Sequence, residues 1–280
     1  MSLTLQTFST VTEASAALKG VGARYLGGGT LLVRDANEGD LSFSTFVRAT
    51  DPSLSAIAVS GSEVRIGASA TMAAVARHRD LGFLAKVANA IGAPAIRNMA
   101  TVGGNLFVGS PYGDFTVALL ALDARVSVAD AGTPGVELPL GVFLAERDTF
   151  HAGKIATAVT FEMPEKDEFR FLKVSRVKPR GVAVVSIAAV LKEHRNVISS
   201  ARIAFGCMAD RPLRAKAVEA ALAGRQRTTQ GIEPALAVAL EGMSPLTDAI
   251  ASGWYRAEVL PVHLGRLLLA GRNAERMHIR

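Results

Sequence analysis

Cysteine is nearly absent: Cys207 is the only one in 280 residues, which also hold one tryptophan and three tyrosines. A lone thiol forbids an intrachain disulfide. Nor can this chain alone hold a zinc site built on several thiolates or an iron–sulfur cluster, so any such cluster belongs to a partner. Aromatic residues make up 6% of the chain, and Phe and Tyr do not interleave with Lys or Arg as a base-stacking platform requires. No stretch of about 18 apolar residues is present to span a bilayer. There is also no run of five like charges: 31 basic and 25 acidic residues are interleaved, for a net charge of +6. That pattern argues against a nucleic-acid partner and leaves only a loose attraction for a phosphate-bearing ligand.

Several motifs are missing as well. The chain has no P-loop, no G-x-G-x-x-G opening a helix and no G-x-S-x-G, so nucleotide hydrolysis, a Rossmann site and a serine nucleophile have no support. The histidines, His78, His151, His194, His263 and His278, are scattered without metal-ligand spacing, and no metal is expected. Residues 1–10 alternate apolar and polar side chains and lack both the basic leader and the apolar core of a signal peptide, so a cytoplasmic location is expected.

What is present describes a folded chain of two or three subdomains: 49% hydrophobic and 20% charged residues, with 26 glycines and 11 prolines. Period-two alternation over residues 3–8, a helical stretch over 12–18 and strands over 23–26 and 44–48 read as a small β-α-β unit, with an apolar turn at Leu31, Leu32 and Val33. Residues 56–69 read as a hairpin turning at Ser60-Gly61-Ser62. Thr71 caps a helix over 72–78, and a second helix over 81–91 stops at Gly92 and Pro94. Residues 101–105 interrupt regular structure, 114–122 is helical, and 125–128, 136–138 and 155–161 are strands. A polar break at 165–168 precedes three long strands over 169–177, 182–192 and 197–205, with Cys207 expected as a buried strand residue. Helices follow over 215–222, 234–240 and 256–270. Strands followed by helices indicate a sheet with helices on one face.

Two glycine clusters suggest the chemistry. In Leu26-Gly27-Gly28-Gly29-Thr30-Leu31-Leu32, consecutive glycines after a strand let backbone N–H groups converge on an anion, and Thr30 adds a hydroxyl. An ordinary tight turn is the other reading of three glycines. In the second, Thr101-Val102-Gly103-Gly104-Asn105 is followed by Ser110-Pro111-Tyr112-Gly113-Asp114. Bare glycines again allow close approach, Thr101, Asn105 and Ser110 offer neutral polar groups, and Asp114 can accept from a sugar hydroxyl.

These two motifs, about 70 residues apart, resemble those of the flavin-binding medium subunits of the molybdenum hydroxylases, the group of xanthine dehydrogenase and carbon monoxide dehydrogenase. The resemblance extends to Ile66-Gly67-Ala68, Ile96-Arg97-Asn98, the strand Phe171-Leu172-Lys173-Val174-Ser175-Arg176 and the close Trp254-Tyr255-Arg256. It implies an α+β chain: a two-subdomain FAD-binding fold of the vanillyl-alcohol-oxidase (PCMH) type over residues 1–54 and 55–165, then a C-terminal α+β domain, 166–280, of antiparallel sheet with helices. It further implies that the backbone around Gly27 to Leu32 and around Thr101, Gly103, Gly104 and Asn105 holds the pyrophosphate of FAD, that Asp114 faces sugar or ribityl hydroxyls, and that Ile91 and Gly92 line the flavin pocket, with Leu26 and Ser110 also in the cofactor-binding set. Lys173 would lie near the flavin, where positive charge favours the reduced ring.

Two departures stand out. Leu31 replaces an acidic residue of the family, and Gly181 with its neighbours offers neither an aromatic nor an acidic group near the ring. By the same resemblance, molybdopterin sits on a large partner subunit and [2Fe-2S] clusters on a small one, in a dimer of heterotrimers. This chain is then the oxidoreductase subunit whose FAD passes electrons to a final acceptor. A free-standing FAD reductase or oxidase of the same fold, and a flavin-free assembly module, are the alternatives.

Overall fold

The computed structural model describes residues 3–131, 133–147, 154–177 and 181–270. His151, His278, and Lys178 and Arg180 of the basic run that begins at Arg176 lie outside them. Two compact units form: Met1–Val108 with Asp123–Met163, and Gly109–Leu122 with Pro164–Arg280.

The first unit opens with β1 (Thr4–Phe8), α1 (Val11–Ala17), β2 (Ala23–Tyr25), α2 (Leu32–Asn37) and β3 (Thr45–Ala49). The expected β-α-β unit is a three-stranded parallel sheet in the order β1-β3-β2. A capping box starts α1: Thr10 Oγ1 accepts from Glu13 N at 3.2 Å, and Glu13 Oε2 accepts from Thr10 N at 3.2 Å. That helix buries Ala14 and Leu18 with Val47, Ala49 and Leu54. Leu32 and Val33, expected with Leu31 as an apolar turn, open the helix Leu32–Asn37 because the loop supplies the Gly29 and Leu31 carbonyls to the amides of Val33 and Asp35, at 3.0 and 2.8 Å.

Next come β4 (Ile57–Ser60), β5 (Glu63–Gly67), α3 (Met72–Arg77), α4 (Gly82–Asn89), α5 (Pro94–Met99) and α6 (Val102–Leu106). Residues 101–105 are thus helical from Val102 onward, where the sequence suggests a break. Thr101 Oγ1 accepts from Gly104 N at 3.0 Å and starts the turn in spite of its two glycines. After α7 (Asp114–Ala121), which belongs to the second unit, the chain returns with β6 (Arg125–Asp130), β7 (Thr133–Pro139), α8 (Leu140–Glu146) and β8 (Lys154–Glu162). The antiparallel sheet runs β4-β5-β8-β6-β7.

The second unit contains β9 (Phe169–Ser175), β10 (Ala183–His194), β11 (Val197–Gly206) and β12 (Leu213–Arg214), then α9 (Lys216–Leu222), α10 (Thr229–Ala237) and α11 (Gly253–Leu269). Its antiparallel sheet has the order β12-β11-β10-β9. Val185, Ile187, Ala189 and Leu191 pack with Leu260, Leu264 and Leu268 of α11. The alternate residues of β10 are buried as well, so both faces are covered and the expectation of helices on one face is corrected. The second cover is α7, which lies against β10 and β11, and whose eight residues are all buried. A helix apolar on every side needs burial on every side. The sequence order suggests that this segment belongs with residues 55–165, but its partners are in the second unit.

Two smaller expectations also change. Pro234 lies inside α10 rather than at its start, because Thr228 Oγ1 accepts from Gly231 N at 3.1 Å and begins the helix earlier. Cys207 is buried but falls just past β11, with φ of 67°. Among the described residues, no helix is long and apolar enough to cross a membrane.

Arg256 pins the second unit. It is fully buried, and its guanidinium donates to Val184 O at 3.0 Å, to Leu246 O, and to both carboxylate oxygens of Asp248 at 3.0 and 2.9 Å. Leaving Asp248 and two carbonyls without these donors costs about 3 kcal/mol. Arg256→Leu is therefore expected to lower the urea midpoint by the corresponding amount. Burial alone would raise the Asp248 carboxyl, but Arg256 and the amides of Ile250 and Ala251 hold it below its ordinary 3.8. A depressed carboxylate stabilises above its ordinary value and loses that contribution as pH falls through the depressed one. Urea melts between roughly pH 3 and 5 are expected to show an acid-side loss of stability that is smaller in Asp248→Asn.

Candidate functional site

Close approach of bare backbone builds the site in the first unit. A β-carbon on Gly28 would lie 1.8 Å from Met99 O, and one on Gly27 would lie 3.1 Å from Thr101 Oγ1. The first glycine motif therefore rests directly on the residues that lead into the second. Beneath them, Val102 N donates to Ala70 O at 2.9 Å and Gly103 N to Ala68 O at 2.7 Å. Gly67 repeats the device, since a β-carbon there would lie 2.2 Å from Leu54 O. Arg97, buried, donates to Ile91 O at 3.2 Å and to Gly92 O. It thereby fixes the turn at Gly92, whose φ of 46° favours glycine.

Leu26, Gly27, Gly28 and Thr101 share the wall of one cavity of about 320 Å³ with Arg48, Asp51, Ser69, Thr71 and Asn98, among others. Gly29, Thr30, Leu31 and Leu32 continue the same half-buried loop. Leu26 N is used by Val47 O at 2.7 Å, but among the described residues no acceptor takes the amides of Gly27, Gly28, Gly29 and Thr30. Four successive donors left open in a half-buried loop suit an anion with several oxygen atoms. The second motif is used differently. Asn105 is buried, its Nδ2 donates to Thr101 O at 2.9 Å, and Gly103 is buried against Ala68, whereas Gly104 is exposed. Ile91 and Gly92 do not line this cavity.

Ser110, Asp114 and Lys173 belong to the second unit. Lys173 Nζ sits 2.6 Å from Asp114 Oδ2, and both side chains are largely buried. Asp114 Oδ1 and Ser110 Oγ are buried without a hydrogen-bond partner. Such orphans are costly unless a ligand completes them. Cys207 lies beside this pair, its Sγ 3.5 Å from Pro111 O and 3.6 Å from Ala183 O. Burial, with the Asp114 carboxylate adding to it, pushes its thiol up to about 12, which keeps it neutral and removes it as a nucleophile. Sequence reasoning missed Arg48 and Asp51. The signal for them is their position where β3 ends, beside the end of β2, from which the glycine loop departs.

Residues 2–164 match the family model described as the FAD binding domain in molybdopterin dehydrogenase. The chain belongs to the FAD-binding medium subunits of the molybdenum hydroxylases. Residues 170–270 of this medium subunit match the CO dehydrogenase flavoprotein C-terminal domain. It is 28% identical over 212 residues to the nicotinate dehydrogenase FAD-subunit of Eubacterium barkeri, covering 72% of each chain. To the glyceraldehyde dehydrogenase medium chain of Sulfolobus acidocaldarius it is 29% identical over 174 residues, a match that spans 61% of each chain and so less than two thirds of that relative. A chain of carbon monoxide dehydrogenase from Hydrogenophaga pseudoflava has the same fold, with a TM-score of 0.88, 23% identity and 96% of each chain covered. The FAD-binding fold followed by a C-terminal antiparallel-sheet domain is thus the architecture of this medium subunit.

Two outcomes test the site. Gly28→Ala drives a methyl into Met99 O, and is expected to strip FAD from the medium subunit on desalting and to lower its melting temperature. Gly82→Ala, where an added methyl meets nothing within 4 Å, is expected to change neither. Cys207 is expected to resist a thiol reagent at about pH 8 and to react on unfolding, because less than about one thiol in a thousand is ionised there.

Proposed function

We propose that this medium subunit takes electrons from [2Fe-2S] clusters on a small partner and passes them to a final acceptor, while a molybdopterin-bearing large partner oxidises the substrate. The observation that carries the reading is the set of four successive loop amides of the first unit that have no acceptor among the described residues. FAD carries the complementary group, the diphosphate oxygens. Bound FAD supplies reversible one- and two-electron carriage. The chain's single cysteine, buried and neutral, holds no cluster, which supports placing the clusters on another polypeptide.

In this reading the amides of Gly27 to Thr30, with the Thr30 hydroxyl, hold the diphosphate, and Leu26, Leu31 and Leu32 shape the ends of the loop. Thr101, Gly103, Gly104 and Asn105 form the second wall: Thr101 and Asn105 fix the turn, and Gly104 presents bare backbone. Ile91 and Gly92 are assigned to the flavin side and are kept in place by Arg97. Lys173 acts through Asp114: the ion pair orients the carboxylate so that Oδ1 accepts a hydroxyl and excludes water from that position. Assembly as a dimer of heterotrimers belongs to the same proposal, and the names medium chain and FAD-subunit carried by the relatives support multi-subunit complexes.

The test is reconstitution. The purified chain is expected to carry flavin absorption in the visible and to release FAD in acid, and its flavin is expected to bleach when a reduced [2Fe-2S] partner subunit is added. A flavin that stays oxidised in the assembled complex defeats the electron-transfer role. Asp114→Ala removes the acceptor and leaves Lys173 without its counter-charge. It is expected to weaken FAD retention by roughly ten- to a hundredfold while the chain stays folded.

A further inference from the structure

The glycine loop has a shortfall of charge. Amides offer partial dipoles only, whereas a dinucleotide diphosphate carries two full negative charges, and the amides of Gly27 to Thr30 belong to a loop without a cationic side chain. The parallel sheet brings one from the neighbouring strand. Because β1, β3 and β2 run in the same direction, their carboxyl ends lie along one edge. The bond from Leu26 N to Val47 O sets the departure of the glycine loop one residue short of Arg48.

Along β3, Val47 and Ala49 are buried and Arg48 points to the opposite, exposed face, where it lines the same cavity as Leu26, Gly27 and Gly28. Among the described residues the Arg48 side chain makes no ion pair and no hydrogen bond, and its charge is felt at the Tyr25 hydroxyl. The carboxylate on that wall, Asp51, is turned to its own chain, where Oδ1 accepts from Ser53 N at 2.9 Å. A planar guanidinium with five donors and no acceptor, beside four amides with no acceptor, sets donors and one full positive charge along this wall, which also carries the Asp51 carboxylate, ionised and held by the hydrogen bonds of Ser53. The donors are complementary to phosphate oxygens.

We propose that Arg48 is a diphosphate-binding residue of this subunit, pairing with a phosphate of the dinucleotide that the glycine loop cradles. This rests on the reading that the cavity takes the diphosphate of FAD, and adds to it the residue that supplies the charge. In this role Arg48 favours ligands that carry phosphate over the bare nucleoside or the bare flavin.

The test is calorimetric titration of the full-length, flavin-stripped chain with FAD, ADP, adenosine and riboflavin. The wild type is expected to bind ADP more tightly than adenosine, with the difference shrinking as salt rises. Arg48→Gln is expected to lose about tenfold in affinity for FAD and ADP, and nothing for adenosine or riboflavin. Arg48→Lys keeps the charge and is expected to recover part of that loss. Since Arg48 is exposed and unpaired, both variants should melt with the wild type, which separates binding from folding. Unchanged ADP affinity in Arg48→Gln overturns the proposal while leaving FAD binding intact. An equal loss for adenosine also overturns it, by placing Arg48 on the sugar or base. If the wild type binds neither FAD nor ADP, the cofactor assignment itself falls, and Arg48 falls with it.

Discussion

Main chain packed against main chain, with no side chain between, is the constraint on which the first unit depends. At Gly28, Gly67 and Gly103 the backbone approaches Met99, Leu54 and Ala68 so closely that a β-carbon would meet a carbonyl at 1.8, 2.2 and 3.0 Å. These contacts draw together the loop after β2, the end of β5 and the start of α6, segments that are far apart in sequence. They also set the bare backbone of Gly28 against Met99 at the cavity before any ligand arrives, so little ordering entropy of that segment is charged to binding.

Arginine has a different task from the one that a net charge of +6 suggests. Arg97, Arg147, Arg227 and Arg256 are all buried, and each gathers backbone carbonyls: Ile91 and Gly92, Leu106 and Val108, Leu268 and Ala270, Val184 and Leu246. A guanidinium has donors for several acceptors at once and keeps its charge when buried. Part of the basic surplus is thus internal joinery, and Arg227 and Arg256 also neutralise Glu193 and Asp248. Arg48 is the contrast, an arginine at the cavity with no acceptor for its side chain among the described residues.

Local chemistry made much of this legible in the sequence. The cap at Thr71 and the mostly apolar run of β10 each announce their element within a few residues, whereas the helix expected from Thr12 starts instead from the cap at Thr10. The two glycine motifs suggest an anion cradle from residue type alone, beside the reading of the first as an ordinary tight turn. Short helices were harder: α2, α5, α6 and α8 span five to seven residues, too few for a 3.6-residue period to declare itself, and α6 contains two glycines that count against a helix. Arg48 was invisible for another reason. Its meaning comes from strand register, and a parallel pairing between residues 23–25 and 45–47 cannot be seen by scanning one segment at a time.

Helix α7 has a last consequence. It lies between two stretches of the first unit in sequence yet contributes a layer to the second, so the chain passes between units after Val108, after Leu122 and after Met163. The family boundary near residue 164 is therefore not a seam. A fragment ending there would carry an apolar helix stripped of its sheet, and the remaining fragment would expose the face of β10 and β11 that this helix covers. The two halves therefore share one packing unit, and a cut near residue 164 divides it.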